Sequence, residues 1–294
     1  MKFRKFSEFH PSVNVFYFAG ILAFSMIVQH PLCRLLSLLG ALCWTGQLLT
    51  KETKKTLKKI LLPTALLAIL INPAFSHEGV TILTYLPGGN PLTAESIWYG
   101  LSMAVMLAAV VLWCAGLHAV LTSDKLVCLT GKLAPTLSLL LSLTLRFVPR
   151  FARQLRQVSA ARSAIGKGVR EGSILERMRH GGQILSILVT WSLENAMDTA
   201  DSMKSRGYGT GTRTAFCLYT RDEADRTAAM VIGGSLLFLL FMALHGEFYW
   251  RYYPLCRAGT WSLWSACTYL VYGLFCMLPW MLDRWEVRAW RSIE

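Results

Sequence analysis

The chain has 294 residues, of which 54% are hydrophobic, and its mean hydropathy is +0.42. This composition is too apolar for an ordinary soluble domain and indicates a membrane protein. The formal net charge of +13 is unevenly distributed along the chain. In a membrane protein, an uneven distribution of positive charge indicates the orientation of the chain in the membrane rather than nucleic-acid binding.

Apolar runs, taken in chain order, predict about six membrane-spanning helices. They lie near Val13–Val28, Leu32–Leu49, Lys59–Ile71, Ile97–Val120, Thr227–Leu244 and Trp261–Leu282. The first three are at the short end of what can cross an apolar layer of about 30 Å. The loop Asn72–Ser96 contains no Lys or Arg, and its PGGNP sequence at Pro87–Pro91 predicts a turn on the outer side of the membrane.

The apolar stretch Leu133–Val148 is ambiguous, because it is short for a span and continues directly into a block of arginines. The distribution of basic residues resolves the ambiguity. With six spans and both termini cytoplasmic, every Lys and Arg from Lys125 to Arg226 lies inside. A span at Leu133–Val148 would move the most basic block outside, against the positive-inside rule. We therefore predict a helix at the inner membrane surface or packed against other helices.

The sequence thus predicts an all-α, polytopic protein of the cell membrane with both termini cytoplasmic. Residues 1–121 form an N-terminal region of four transmembrane helices, and residues 215–294 form a C-terminal region of two. Residues 122–214 form a cytoplasmic or interfacial helical module, inserted before the last two spans. Its segment from Arg146 to Arg170 is basic and contains no acidic residue.

The basic segment predicts a binding surface of limited specificity. Arg146, Arg150 and Arg153 share one face of a helix by their spacing. Contact with anionic lipid headgroups explains any one of these arginines as well as contact with a protein does. Nucleic-acid binding is not favoured, because no aromatic interleaving or nucleic-acid fold motif accompanies the charge.

Two helices of this module are predicted to end at glycines. The first ends near Ala164-Ile165-Gly166, and the second runs from about Ser173 to Arg206, with a possible break at Gly181-Gly182. Gly207 is well placed as a left-handed cap of the second helix. The helix dipole by itself favours a positive charge such as Arg206 in the last turn. Stabilisation of the helix end is therefore the purely structural interpretation of this residue. The end of the second helix carries an apolar stripe of Leu193, Ala196, Met197, Ala200 and Met203.

Sequence motifs for catalysis or metal binding are not found. The chain contains no GxxxxGK[ST], HExxH or GxSxG motif, and Gly166-Lys167-Gly168 lacks the flanking pattern of a phosphate loop. Cysteines and histidines do not have zinc-site spacing. The predicted spans carry no ionisable side chain at their middle, where ion-coupled carriers need one. We therefore predict no enzyme activity, no cofactor, no metal and no catalytic residue.

The chain resembles the T component of energy-coupling-factor (ECF) transporters, the EcfT/CbiQ family, over nearly its whole length. The resemblance is carried by NPAFSHEGVTILTYL and PLTAESIWYG (Asn72–Leu86, Pro91–Gly100) and by LTSDKL and LAPTLSLLLSLTLRFVPRF within Leu121–Phe151. It is most specific in ENAMDTADSMKSRGYGTGTRT at Glu194–Thr214.

The family carries two short Ala-Arg-Gly motifs at the ends of two coupling helices. The second is matched by Ser205-Arg206-Gly207, with Ser in place of Ala. The first falls on Ala164-Ile165-Gly166, where Ile165 replaces the arginine, and Arg162 and Lys167 are the neighbouring candidates for the missing charge. The resemblance implies that both triplets contact ATPases. It implies a supporting basic face made of Arg146, Arg150, Arg153 and Arg162.

The resemblance implies a non-catalytic coupling subunit of an importer. Two ABC-type ATPases would bind the coupling helices, and a separate S component would capture a micronutrient, either a vitamin or cobalt or nickel. Closure of the ATPases on ATP would then reorient the S component in the lipid bilayer. From the residues alone, a stand-alone secondary permease remains the main alternative. A membrane-embedded enzyme is a further alternative, although no polar constellation in the spans indicates one.

Overall fold

The computed structural model describes residues 5–76, 78–85, 91–169, 171–211, 219–259 and 261–291. In these ranges the chain forms nine α-helices, one short 3-10 helix and two small β-hairpins. The all-helical architecture predicted from the sequence is confirmed, with the hairpins as minor additions. The chain divides into two compact units: unit 1 combines Met1–Thr122 with Tyr219–Glu294, and unit 2 is Ser123–Leu218.

The elements follow one another in a simple order. The 3-10 helix Phe6–Glu8 precedes α1 Pro11–Ile27, α2 Pro31–Leu48 and α3 Lys51–Phe75, and then come β1 Ile82–Tyr85, β2 Pro91–Thr93 and α4 Ala94–Val120. Unit 2 contains α5 Ser123–Leu133, α6 Pro135–Ala164 and α7 Ile174–Ser205. The chain ends with α8 Glu223–Leu244, β3 Trp250–Arg251, β4 Arg257–Ala258 and α9 Leu263–Arg291. Each hairpin pairs its two strands antiparallel.

In the part of the chain that the structure describes, four helices are long and apolar enough to cross a membrane: α3, α4, α8 and α9. The helix α1 is apolar but has only 17 residues, and α2 has 18. The arginine-rich α6 is not among the four, in agreement with its predicted place outside the spans. Four candidate spans agree with the predicted polytopic membrane protein, whereas a count of six depends on α1 and α2 as short spans.

Several helices extend beyond the apolar runs, because local capping decides where a helix begins. The helix α3 starts at Lys51, well before the predicted Lys59, with the Thr50 side chain accepting a bond from the Thr53 amide. The helix α8 starts at Glu223 with a reciprocal cap between Asp222 and Asp225. The predicted PGGNP turn falls mostly on residues 86–90, which lie outside the described residues.

The core of unit 1 is built of aromatic rings from several helices. Phe6 packs edge-on against Tyr17 and Trp44, with ring centroids 5.1 and 5.7 Å away. Trp44 also contacts Trp113 of α4 at 5.9 Å. The Asp283 carboxylate of α9 accepts hydrogen bonds from the Phe6 amide at 2.8 Å and from Trp44 Nε1 at 2.9 Å. These contacts attach the N-terminal segment, α2 and α9 to one another.

A close contact between α2 and α9 gives a first testable prediction. A Cβ at Gly40 would lie 2.8 Å from the backbone oxygen of Cys276 and 2.9 Å from its Cβ, so Gly40→Ala forces the two helices apart. We expect a loss of about 1–3 kcal/mol in unfolding free energy. Gly46→Ala, on the same helix, is the control, since nothing lies within 4 Å of that position. It should stabilise by up to about 1 kcal/mol. Thermal unfolding in detergent measures both, and equal melting temperatures would contradict the prediction.

Candidate functional site: two helix ends in unit 2

The main feature of unit 2 is an antiparallel pair formed by α6 and α7. The side chain of Arg162 donates to Oε1 of Gln183, and Nη1 of Arg150 lies 3.4 Å from Oδ1 of Asn195. The rings of Phe151 and Trp191 pack edge to face at 5.6 Å. Residues later in α6 contact residues earlier in α7, so the two helices run in opposite directions.

The beginning of α6 corrects the predicted boundary of the apolar stretch. Leu133 belongs to the preceding helix α5, and α6 begins at Pro135 after a break at Ala134, which has φ −150° and ψ 93°. Proline restricts the residue before it to extended conformations and is well suited to the first turn of a helix. The predicted stretch was therefore helical but spans the junction of two helices. Sequence reasoning missed α5 as a separate element.

The helix α7 is continuous from Ile174 to Ser205, so the possible break at Gly181-Gly182 is absent. A reciprocal cap stabilises its start, since the Ser173 hydroxyl accepts from the Glu176 amide and the Glu176 carboxylate accepts from the Ser173 amide. Hydrogen bonds from the Ser173 amide and hydroxyl lower the pKa of Glu176. The Ser-x-x-Glu spacing of Ser173 and Glu176 is the sequence signal for this cap.

The ends of α6 and α7 have the same backbone geometry. At the end of α6, the Gly166 amide donates to the Ser163 carbonyl at 3.1 Å and the Lys167 amide donates to the Arg162 carbonyl at 2.9 Å. At the end of α7, Gly207 and Tyr208 make the corresponding bonds, at 2.9 and 3.0 Å. Both are Schellman motifs, in which a left-handed residue reverses the chain. Gly166 and Gly207 have φ values of +68° and +80°, as predicted for cap glycines.

Ile165 and Arg206 occupy equivalent positions in these two motifs. Each is the residue that follows the last helical residue, with φ −100° and ψ 19° for Ile165 and φ −86° and ψ 9° for Arg206. The Ile165 side chain is 65% exposed, and Arg206 is exposed as well. Among the described residues, the guanidinium of Arg206 has no hydrogen-bond or ion-pair partner. The helix ends thus present an isoleucine in one place and an unpaired guanidinium in the other.

The two helix ends lie at opposite ends of the antiparallel pair. Since Arg162 meets Gln183, the end of α6 is level with the first third of α7. At a rise of 1.5 Å per residue, the rest of α7 to Ser205 extends for roughly 35 Å. The two predicted triplets therefore have equivalent backbone geometry but lie far apart. They are Ala164-Ile165-Gly166 and Ser205-Arg206-Gly207.

The predicted basic face is divided between two roles. Arg146 and Arg153 are exposed, and among the described residues neither has a hydrogen-bond or ion-pair partner. Arg150 and Arg162 donate to Asn195 and Gln183 of α7 instead, so both help to hold the helix pair together. Arg162 is also partly buried. Lys167 is exposed next to the Ile165 triplet and is unpaired among the described residues.

Unit 2 exposes an unusual amount of apolar surface. On α7 only Ile184 and Leu188 are buried, whereas Leu193 and Met197 of the predicted stripe are 61% and 62% exposed. Large apolar side chains on adjacent turns of a helix mark a surface that another molecule or a lipid layer covers.

The helices long enough to cross a membrane, together with this long helical hairpin, define the class of the chain as a polytopic membrane protein. The family model for the cobalt transport protein CbiQ matches residues 4–215, and the chain belongs to this family. Proteins of the family are non-catalytic transmembrane subunits of transporters. The resemblance identified from the sequence is thereby confirmed.

Several curated relatives are described as energy-coupling factor transporter transmembrane protein EcfT. The one from Bacillus selenitireducens is 36% identical over 75 residues, which cover 26% of this chain and 28% of the relative. Those from Exiguobacterium sibiricum and Streptococcus equi subsp. equi are 32% identical over 107 residues and 34% over 110. These matches cover 35% and 36% of this chain, and 41% of each relative. The chain thus aligns with less than half the length of these relatives.

Proposed function

We propose that this chain is the T component of an ECF-type importer. It links two cytoplasmic ABC-type ATPases to a substrate-binding S component, which captures a micronutrient such as a vitamin, cobalt or nickel. The regions 1–121 and 215–294 lie in the cell membrane, and the region 122–214 supplies the coupling helices on the cytoplasmic side. The chain itself needs no cofactor and hydrolyses no ATP.

One observation carries this proposal: two helices end in the same capping motif, at opposite ends of one antiparallel pair. Two docking points of equal backbone geometry suit two copies of similar partners. Family membership supports the same reading. The exposed apolar side chains Leu193 and Met197 provide further surface for a partner.

The geometry of each helix end suits a compact docking contact. The left-handed glycine turns the chain away at once, so the preceding residue projects at the tip of a rigid helix. At the α7 end that residue is Arg206, whose planar guanidinium binds carboxylates through paired, charged hydrogen bonds. At the α6 end Ile165 offers an apolar contact, and the nearby Lys167, whose side chain has no partner in the described part of the chain, can assist it. Arg162 is the weaker candidate, because it bonds to Gln183.

The coupling mechanism follows from the stiffness of the helices. When ATP brings the two ATPases together, the two docking points are drawn toward each other. Continuous helices cannot shorten, so the movement must change how α6 and α7 cross. That change is passed to the membrane region and reorients the S component. The side chains of Arg146 and Arg153, which have no partner among the residues that the structure describes, are available to hold an ATPase or anionic lipid during this movement.

Reconstitution tests the proposed class directly. The chain, both ATPases and the S component are placed in liposomes, and uptake is measured with ATP, without ATP, and with each subunit omitted. The proposal expects uptake only when all subunits and ATP are present. Uptake by the purified chain alone without ATP would instead establish the alternative, a secondary permease.

A second prediction concerns topology. We propose six spans, with α1 and α2 as the two short ones, and both termini cytoplasmic. In a cysteine-free variant, a membrane-impermeant thiol reagent added to intact cells should label Leu83→Cys, whose side chain is 58% exposed. It should label Lys167→Cys only after the cells are opened. Labelling of position 167 in intact cells would overturn the proposed orientation.

A further inference from the structure

A cavity of about 380 Å³ lies within unit 1, between the start of α2, the first turns of α4 and the β3–β4 hairpin. Its walls are mainly apolar, with Leu35, Trp98, Leu101 and Val105 among the lining residues. Arg34, Ser102 and Tyr252 add a polar group on one side. The cavity therefore combines apolar walls with one cation.

Arg34 is buried, with only 4% of its surface exposed. Its Nη1 donates to Oγ of Ser102 at 2.6 Å, and its Nε donates to the Val28 carbonyl at 3.3 Å. The Ser102 hydroxyl lies 2.6 Å from the Tyr252 hydroxyl, which in turn donates to the Gln29 carbonyl at 3.1 Å. These bonds hold the guanidinium in place through neutral oxygen atoms.

No full negative charge balances this guanidinium in the described part of the chain, where Arg34 makes no ion pair. Burial raises the pKa of Tyr252, so its hydroxyl remains neutral at physiological pH and cannot serve as the counter-ion. The bond to the Val28 carbonyl places Arg34 at the favourable, negative end of α1. Arg34 also lies in the first turn of α2, however, where the helix dipole disfavours a cation. The dipoles of α1 and α2 thus act on Arg34 in opposite directions, and neither supplies the full negative charge that its guanidinium lacks.

The cavity opens onto a surface of exposed apolar side chains. Leu35, Trp98 and Leu101 are 48%, 62% and 43% exposed, and α4 is one of the helices that can cross a membrane. In a polytopic membrane protein such a surface faces lipid. A molecule that enters here from the bilayer can place acyl chains on the apolar walls and a headgroup beside Arg34.

We propose that this cavity binds an anionic phospholipid, with the phosphate accepting charged hydrogen bonds from Arg34 and an acyl chain packed along Trp98 and Leu101. Buried charges require a partner of opposite sign, and a lipid phosphate supplies one without leaving the bilayer. A free phosphate ion would leave the apolar walls unused. The lipid would act as a structural ligand that fastens the starts of α2 and α4 to the β3–β4 hairpin.

The experiment uses the purified full chain, stripped of lipid in a neutral detergent. Phosphatidylglycerol, phosphatidylcholine with the same acyl chains, or inorganic phosphate is added, and binding is followed by native mass spectrometry and by the melting temperature. We expect phosphatidylglycerol to bind at least about tenfold more tightly than phosphatidylcholine, because the choline cation offsets the phosphate charge that both lipids carry, and inorganic phosphate to have no effect. Equal binding of the two lipids would overturn the proposal. If inorganic phosphate raised the melting temperature as much as phosphatidylglycerol, the cavity would be a simple anion site, and the proposal of a lipid site would be overturned.

Variants locate the site. Arg34→Gln should remove the preference for phosphatidylglycerol, whereas Arg257→Gln, which removes an exposed cation of the β3–β4 hairpin, should retain it. Because loss of a buried arginine can impair folding, Leu101→Gln provides a second test. It leaves Arg34 in place and should weaken binding of both lipids by removing an apolar wall. An undiminished preference in folded Arg34→Gln, or unchanged lipid binding in Leu101→Gln, would contradict the assignment.

Discussion

Arg206→Ala is expected to abolish ATP-driven uptake by the assembled transporter while the chain still inserts normally into the membrane. The side chain is exposed and has no partner among the described residues, so little of the fold depends on it. Capping of α7 is due to the Gly207 and Tyr208 amides, which the substitution leaves intact. Loss of the dipole interaction costs less than about 1 kcal/mol of local stability. Loss of a desolvated charged contact costs about 2–5 kcal/mol of binding.

The measurement compares co-purification of the ATPases and uptake in liposomes with membrane insertion of the variant. Lys204→Ala is the matched control, since Lys204 is an exposed cation in the last turn of the same helix, paired with Asp201 at 4.0 Å. It should retain ATPases and uptake. If Arg206→Ala transports like the parent, the role of Arg206 in coupling is wrong. If Lys204→Ala fails equally, positive charge at this helix end acts in general and Arg206 has no specific role.

Ile165→Arg is expected to strengthen the attachment of an ATPase at the end of α6. Ile165 has the same cap position and nearly the same dihedral angles as Arg206, so the new guanidinium would project from an equivalent helix tip. A charged hydrogen bond contributes about 1.5–3 kcal/mol, which corresponds to tenfold tighter binding or more. The substitution removes no buried contact, because the isoleucine is 65% exposed.

The affinity of the purified chain for the ATPase pair measures this effect. Leu175→Arg is the control: it introduces the same charge at an 81% exposed apolar position in the first turn of α7, outside the capping motif itself. Only Ile165→Arg should bind more tightly. Similar gains in both variants would indicate a general attraction of positive charge. Weaker binding by Ile165→Arg would show that an apolar contact is needed at this end, and the equivalence of the two caps would then be limited to the backbone.

Sequence alone determined the features of this protein that depend on neighbouring residues. Gly207 was predicted as a left-handed cap, and Gly166 as a glycine at a helix end, because only glycine adopts positive φ without strain. Both residues have positive φ. The apolar runs located the helices that can cross a membrane, because the bilayer demands long apolar segments. The positive-inside rule predicted that α6 lies outside the spans, and α6 is not among the four candidate spans. Helix starts were located less well where short polar caps, such as Thr50 and Asp222, set the boundary.

Only the tertiary structure decided which charged residues remain free for a partner. The sequence placed Arg146, Arg150, Arg153 and Arg162 together as a basic face, yet the antiparallel register of α6 and α7 engages Arg150 with Asn195 and Arg162 with Gln183. The burial of Arg34 among Ser102 and Tyr252 was equally invisible in the sequence. Contacts between residues far apart in the chain depend on how whole helices pack, and local patterns of hydropathy and charge do not encode that packing.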